Sequence, residues 1–76
     1  MFYKTYEKRL TACGWKVKRR NSINPFTGVG AVWWVHPHDT PEEQRRREIC
    51  IEYRPNKDGS PGRILTVYQG GRLCRI

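Results

Sequence analysis

The feature that most constrains this 76-residue chain is the run Val29-Gly30-Ala31-Val32-Trp33-Trp34-Val35-His36. It is the longest apolar stretch, and β-branched and aromatic residues dominate it. Three valines and Gly30 favour a strand over a helix interior. Side chains alternate across a strand, so Val29, Ala31, Trp33 and Val35 share one face and Gly30, Val32, Trp34 and His36 the other. Both sets are largely apolar. The run therefore reads as a central strand covered at least partly on both faces, with Trp33 and Val35 assigned to the core. Trp34 is assigned to the shallower face, as a candidate for partner contact.

The segments around this strand carry their own periodicities. Phe2, Tyr6, Leu10 and Cys13 recur as the apolar stripe of an amphipathic helix, with Lys4, Lys8 and Thr11 turned to solvent and Gly14 closing it. Such a basic helix can bind a groove or a membrane surface, but covering a sheet is its commoner use. Trp15–Asn21 alternates next. Lys16, Lys18 and Arg20 fall on one face as a basic row spaced by about 6.6 Å, and Arg19 is expected at the sheet margin. Asn24-Pro25-Phe26-Thr27-Gly28 has turn chemistry, which makes the two strands a hairpin with Phe26 at its tip. Phe26 there can either stack on a base or fold back over the hairpin.

After His36-Pro37-His38-Asp39, Thr40-Pro41-Glu42-Glu43 has the form of a capping box with proline in the first turn. A short helical turn near 41–47 follows, with Arg45, Arg46 and Arg47 in its last turn, where cations complement the helix dipole. Ile49, Ile51 and Tyr53 mark a half-buried strand with Glu48 and Glu52 on its outer side. Pro55–Gly62 is a loop, Arg63–Gln69 a strand, and Gly70-Gly71 a two-residue turn into a last strand over Arg72–Ile76. The fold class that results is α+β in a single compact domain: an N-terminal helix packed on one face of a mostly antiparallel four- to five-stranded sheet.

Charge narrows the function. Fifteen Lys and Arg stand against seven Asp and Glu, for a formal net charge of +8. Residues 1–38 hold seven of those cations and one acid, Glu7, so an anionic partner is expected at the N-terminal half. Nucleic acid, DNA or RNA, fits first, through Lys16, Lys18, Arg19 and Arg20 with Phe26 or Trp34 for stacking. The Arg45–Arg47 run is a further phosphate contact, or simply a solvated helix end. The alternative partner is an acidic protein surface, met by a small inhibitor or adaptor of phage or plasmid type. No stretch is apolar enough to cross a membrane and no secretory leader is present, so a cytoplasmic protein is expected. Cys13, Cys50 and Cys74 have no metal-ligand spacing and read as reduced, partly buried thiols. No cofactor or metal is implied. His36 and His38 could act as acid and base in ribonuclease chemistry, but a structural loop is the favoured reading of this segment.

Leu10-Thr11-Ala12-Cys13-Gly14-Trp15-Lys16-Val17-Lys18-Arg19-Arg20 resembles the start of the HicA-type toxins, small basic ribonucleases with a double-stranded-RNA-binding-like fold. The resemblance lies in a short helix that runs into Gly-Trp and then a basic strand, and it implies ribonuclease activity as a further alternative. The family's catalytic histidine follows a Gly-Ser shortly after that strand, where this chain has Asn21-Ser22-Ile23-Asn24-Pro25, and its closing helix has no counterpart here. No catalytic residue is carried over.

Overall fold

The computed structural model describes residues 1–74. Helix α1 (Tyr3–Ala12) leads into strands β1 (Lys16–Asn21) and β2 (Gly30–Val35). Helix α2 (Pro41–Arg47) follows, then β3 (Ile49–Pro55), β4 (Pro61–Gln69) and β5 (Arg72–Cys74). All four strand pairings are antiparallel, and the spatial order β1-β2-β3-β4-β5 is the chain order. This is the expected α+β architecture, with α1 on one face of an open five-stranded sheet. Arg75 and Ile76, the end of the expected last strand, lie outside the described residues.

The turns form where the sequence places them. Gly14 takes φ +87° after α1, and Gly70 and Gly71 take φ +60° and +81° in the two-residue connection of β4 to β5. Asn24 organises the β1–β2 loop: its Oδ1 accepts from Phe26 N–H at 2.8 Å, and its carbonyl accepts from Gly28 N–H at 2.7 Å. At α2, Thr40 Oγ1 accepts from Glu43 N–H and the Glu43 carboxylate accepts from Thr40 N–H, both at 3.2 Å, which completes the capping box.

The core forms between α1 and the sheet from Tyr3, Leu10, Val32, Trp34, Ile49, Ile51, Tyr53, Ile64 and Val67, with Tyr6, Trp15, Val17 and Cys74 packed at its margin. Two expectations are corrected here. The helix stripe runs through Tyr3, Tyr6 and Leu10; Phe2 precedes the helix as its N-cap and is 66% exposed, and Cys13 is its exposed C-cap. Phe2 instead forms a bridge to Arg63, and Met1 accepts from Ile64 N–H at 3.0 Å, so the N-terminus extends the sheet edge before α1 begins.

The second correction concerns β2, whose facing is the reverse of that expected. Gly30, Val32 and Trp34 point into the core, while Ala31, Trp33 and Val35 lie on the uncovered face. The reason is steric. A Cβ at Gly30 would overlap the Tyr53 ring, which crosses the strand at that point and itself belongs to the core. The glycine thus marks the face where another ring must approach closely.

This facing is open to mutation. Trp34→Ala should lower the unfolding free energy by about 3–5 kcal/mol in urea titration, the usual range for a buried aromatic, and Trp33→Ala by much less. A larger loss at Trp33 would contradict it. Burial also raises the Tyr3 hydroxyl to about 12 and the Cys50 thiol to about 11, in each case holding the neutral form in the folded state. Their contribution is complete below the ordinary values of 10.0 and 9.0 and declines as pH rises through the folded ones. The urea midpoint should therefore fall between pH 9 and pH 12, over and above the general effect of charge.

Candidate nucleic-acid interface

Strand β1 is an edge strand, and its register contains a bulge. Lys16 pairs with Val35 and Val17 with Trp34, but Arg19 pairs with Trp33, so Lys18 is the extra residue. An inserted residue reverses the alternation beyond it. Lys16, before the bulge, and Arg19, after it, both share the open face with Val35 and Trp33. Arg20 pairs with Val32 on the helix side, where its charge partly opposes the upward shift of the Tyr3 hydroxyl. The expected row Lys16, Lys18, Arg20 is thus broken: Arg20 leaves the face, and Arg19, expected at the margin, enters it. Lys18 Nζ reaches Glu48 Oε2 at 3.2 Å across the sheet. Both side chains are solvent-accessible, so this ion pair adds little stability.

Register then lines up side chains across the open face. Arg19, Trp33, Cys50, Tyr68 and Leu73 are successive cross-strand partners from one edge to the other. The Arg19 guanidinium lies over the Trp33 ring, 4.2 Å from its centroid, a cation–π contact. Leu73 is 66% exposed and Tyr68 half-buried, so the row remains open to solvent. The neighbouring row is Asn21, Ala31, Glu52 and Thr66. The β1–β2 loop rises beside both rows and turns the flat sheet into a groove of about 680 Å³. Its floor includes Ala31, Trp33, Cys50, Glu52 and Tyr68, and its wall includes Ile23 and Phe26. Phe26 is 95% exposed at the tip, so it does not fold back over the hairpin.

Trp34, expected to stack on a partner, is 3% exposed in the core and leaves the candidate site; Trp33 takes its place. The sequence contained the signal for this in Gly30, whose parity matches that of Trp34. Alternation marks Glu52 only as part of an acidic outer edge, and its place in the groove comes from pairing with Ala31. Cys50 in the floor is held as a neutral thiol, chiefly by burial and then by the charges of Glu52 and Glu48.

The arginine run divides. Arg47 Nη1 donates to Asp39 Oδ1 at 2.8 Å, and its guanidinium sits 5.7 Å from the Trp15 ring centroid. Arg47 therefore ties α2 to the end of the sheet, with its side chain still half exposed. Arg45 and Arg46 are exposed and form no ion pair among the described residues. The histidines belong to the same corner. His36 meets Trp15 edge to face at 5.7 Å and His38 at 5.4 Å, and His36 Nδ1 accepts from His38 N–H at 3.4 Å. Among the described residues no three His, Cys, Asp or Glu side chains are placed to hold a metal ion. No described helix is long and apolar enough to cross a membrane.

No protein-family model matches the chain, and no curated protein or solved structure matches it. The likeness to HicA-type toxins rests on Leu10–Arg20 alone. After β3 the sheet continues into β4 and β5, and no closing helix follows among the described residues.

The burial of Cys50 gives a chemical test of this face. In native protein, iodoacetamide at pH 7.5 should label the exposed Cys13 first. Labelling of Cys50 should rise about tenfold per pH unit toward pH 11, following its thiolate fraction. Rapid labelling of Cys50 at neutral pH would contradict a thiol held neutral in the sheet.

Proposed function

We propose that this protein binds single-stranded nucleic acid, without catalysis, on the open sheet face and the β1–β2 loop. The observation that carries the reading is the Arg19–Trp33 stack on an uncovered sheet, flanked by Lys16 and by the fully presented Phe26 ring. Single strands expose base faces that aromatic rings can stack on, and their phosphates take cations beside those rings. In this reading Lys16, Lys18 and Arg19 neutralise phosphates along β1, Trp33 and Phe26 stack bases, and Arg45 and Arg46 extend the basic surface at α2. A duplex offers its bases only edge-on in the grooves and gains little from the rings.

Fluorescence anisotropy with labelled single- and double-stranded DNA and RNA, titrated across salt, tests the proposal. Single strands should bind more tightly than duplexes. Lys16→Glu/Arg19→Glu should weaken binding and reduce the salt slope by about 1.4, since each phosphate no longer neutralised on a single strand removes about 0.7. Phe26→Ala should cost about 1–3 kcal/mol of binding with no loss of fold stability. Unchanged affinity in both variants would overturn the assignment. A second reading, an inhibitor or adaptor on an acidic protein surface, draws on the same Arg19–Trp33 pair, because Trp, Tyr and Arg are frequent interface anchors. Absence of nucleic-acid binding at physiological salt would favour that reading.

A further inference from the structure

Glu52 is out of place on a surface built for phosphates. It lies half-buried in the floor of the groove, on the row beside Trp33 and Tyr68, and among the described residues it has neither a hydrogen bond nor an ion pair. The other acid of this face, Glu48, is occupied by Lys18. Opposite Glu52 on β2 stands Ala31, the smallest side chain in its row, which leaves the space above the carboxylate open. A free carboxylate repels a backbone phosphate. It attracts a group that offers hydrogen-bond donors and no facing acceptor.

The groove, about 680 Å³ and open to solvent, has room for one planar base. Its rings can hold a flat heterocycle while Glu52 meets the edge of that heterocycle. Among the bases, guanine alone presents two adjacent donors, N1–H and the N2 amino group, matching the two oxygens of a carboxylate. Adenine and cytosine pair one amino donor with an adjacent ring acceptor. Uracil and thymine flank a single N–H with two carbonyls, which a carboxylate repels.

Resting on the single-strand reading, we infer that the groove is a guanine-selective base site. One unpaired guanine stacks on the groove's aromatic side chains and donates N1–H and N2–H to the Glu52 carboxylate, while Lys16 and Arg19 hold the flanking phosphates.

The test uses fluorescein-labelled RNA octamers: all uridine, or uridine with one central guanosine, adenosine or cytidine. Binding to native protein and to Glu52→Gln is compared at fixed salt, with urea midpoints confirming that both are folded. The guanosine octamer should bind about tenfold more tightly than the all-uridine one, the discrimination expected of a good bidentate contact. Glu52→Gln should lose that preference, and its affinity for the all-uridine octamer should stay the same or rise. Equal binding of all four octamers to native protein overturns the guanine site and leaves the single-strand reading standing. A guanosine preference that persists in Glu52→Gln overturns the role of Glu52. Failure of every octamer, and of the matching DNA octamers, to bind overturns the single-strand reading, and the guanine site with it.

Discussion

The close approach of the Tyr53 ring to the backbone of Gly30 sets the arrangement of this small sheet. Tyr53 can enter the core only where β2 has no side chain, and that requirement places Gly30, Val32 and Trp34 beneath α1. Val32 and Ile51, both fully buried, then pair directly across β2 and β3, with Val67 continuing the same line on β4. Each such side chain is worth about 1.5–3 kcal/mol when fully removed from water, so one register is strongly preferred. A one-residue slip would move the whole set to solvent. Trp33 is presented on the other side because Trp34 is held on this one.

The bulge at Lys18 is the second determinant. On a regular strand, Arg20 would have joined Lys16 on the open face. With one residue inserted, the cation that meets Trp33 is Arg19, and the contact becomes a guanidinium–ring stack. The same insertion disrupts an edge that would otherwise offer a straight row of unpaired backbone groups. Bulges and edge cations both discourage sheet-to-sheet association, so β1 can be exposed without serving as a template for another strand.

At the far end of the sheet, α2 is held more by ties than by a core, for it has no buried residue. Its N-terminus is closed by the capping box. Its C-terminal turn is anchored by Arg47 on Asp39 and Trp15, and by Gly70, whose N–H donates to the Glu48 carbonyl at 3.0 Å. A side chain at Gly70 would run into the Arg46 carbonyl, so the β4–β5 turn is fitted against the helix end. His36 packs on Trp15 at this corner, His38 lies exposed against His36, and neither lines the groove.

Local chemistry was enough to determine the elements. Asn24 to Gly28, Thr40 to Glu43 and Gly70-Gly71 each form the turn or cap that their residue types dictate, because those structures depend on contacts within a few residues. A largely antiparallel sheet was legible from the alternating strands and the hairpin-type turns, whereas the strand order came from the pairing. Which face of β2 is buried was not legible from alternation, since both sets of side chains are apolar; it was decided by Tyr53, more than twenty positions away. The bulge was equally hidden, because nothing within Lys16–Asn21 marks Lys18 as the residue without a partner. The tertiary structure alone decided that Trp33, Tyr68 and Glu52 line one groove with Arg19 stacked on Trp33 beside it, while Arg20 lies on the other face. A sequence records the parity of each strand, but pairing fixes how the parities of neighbouring strands combine.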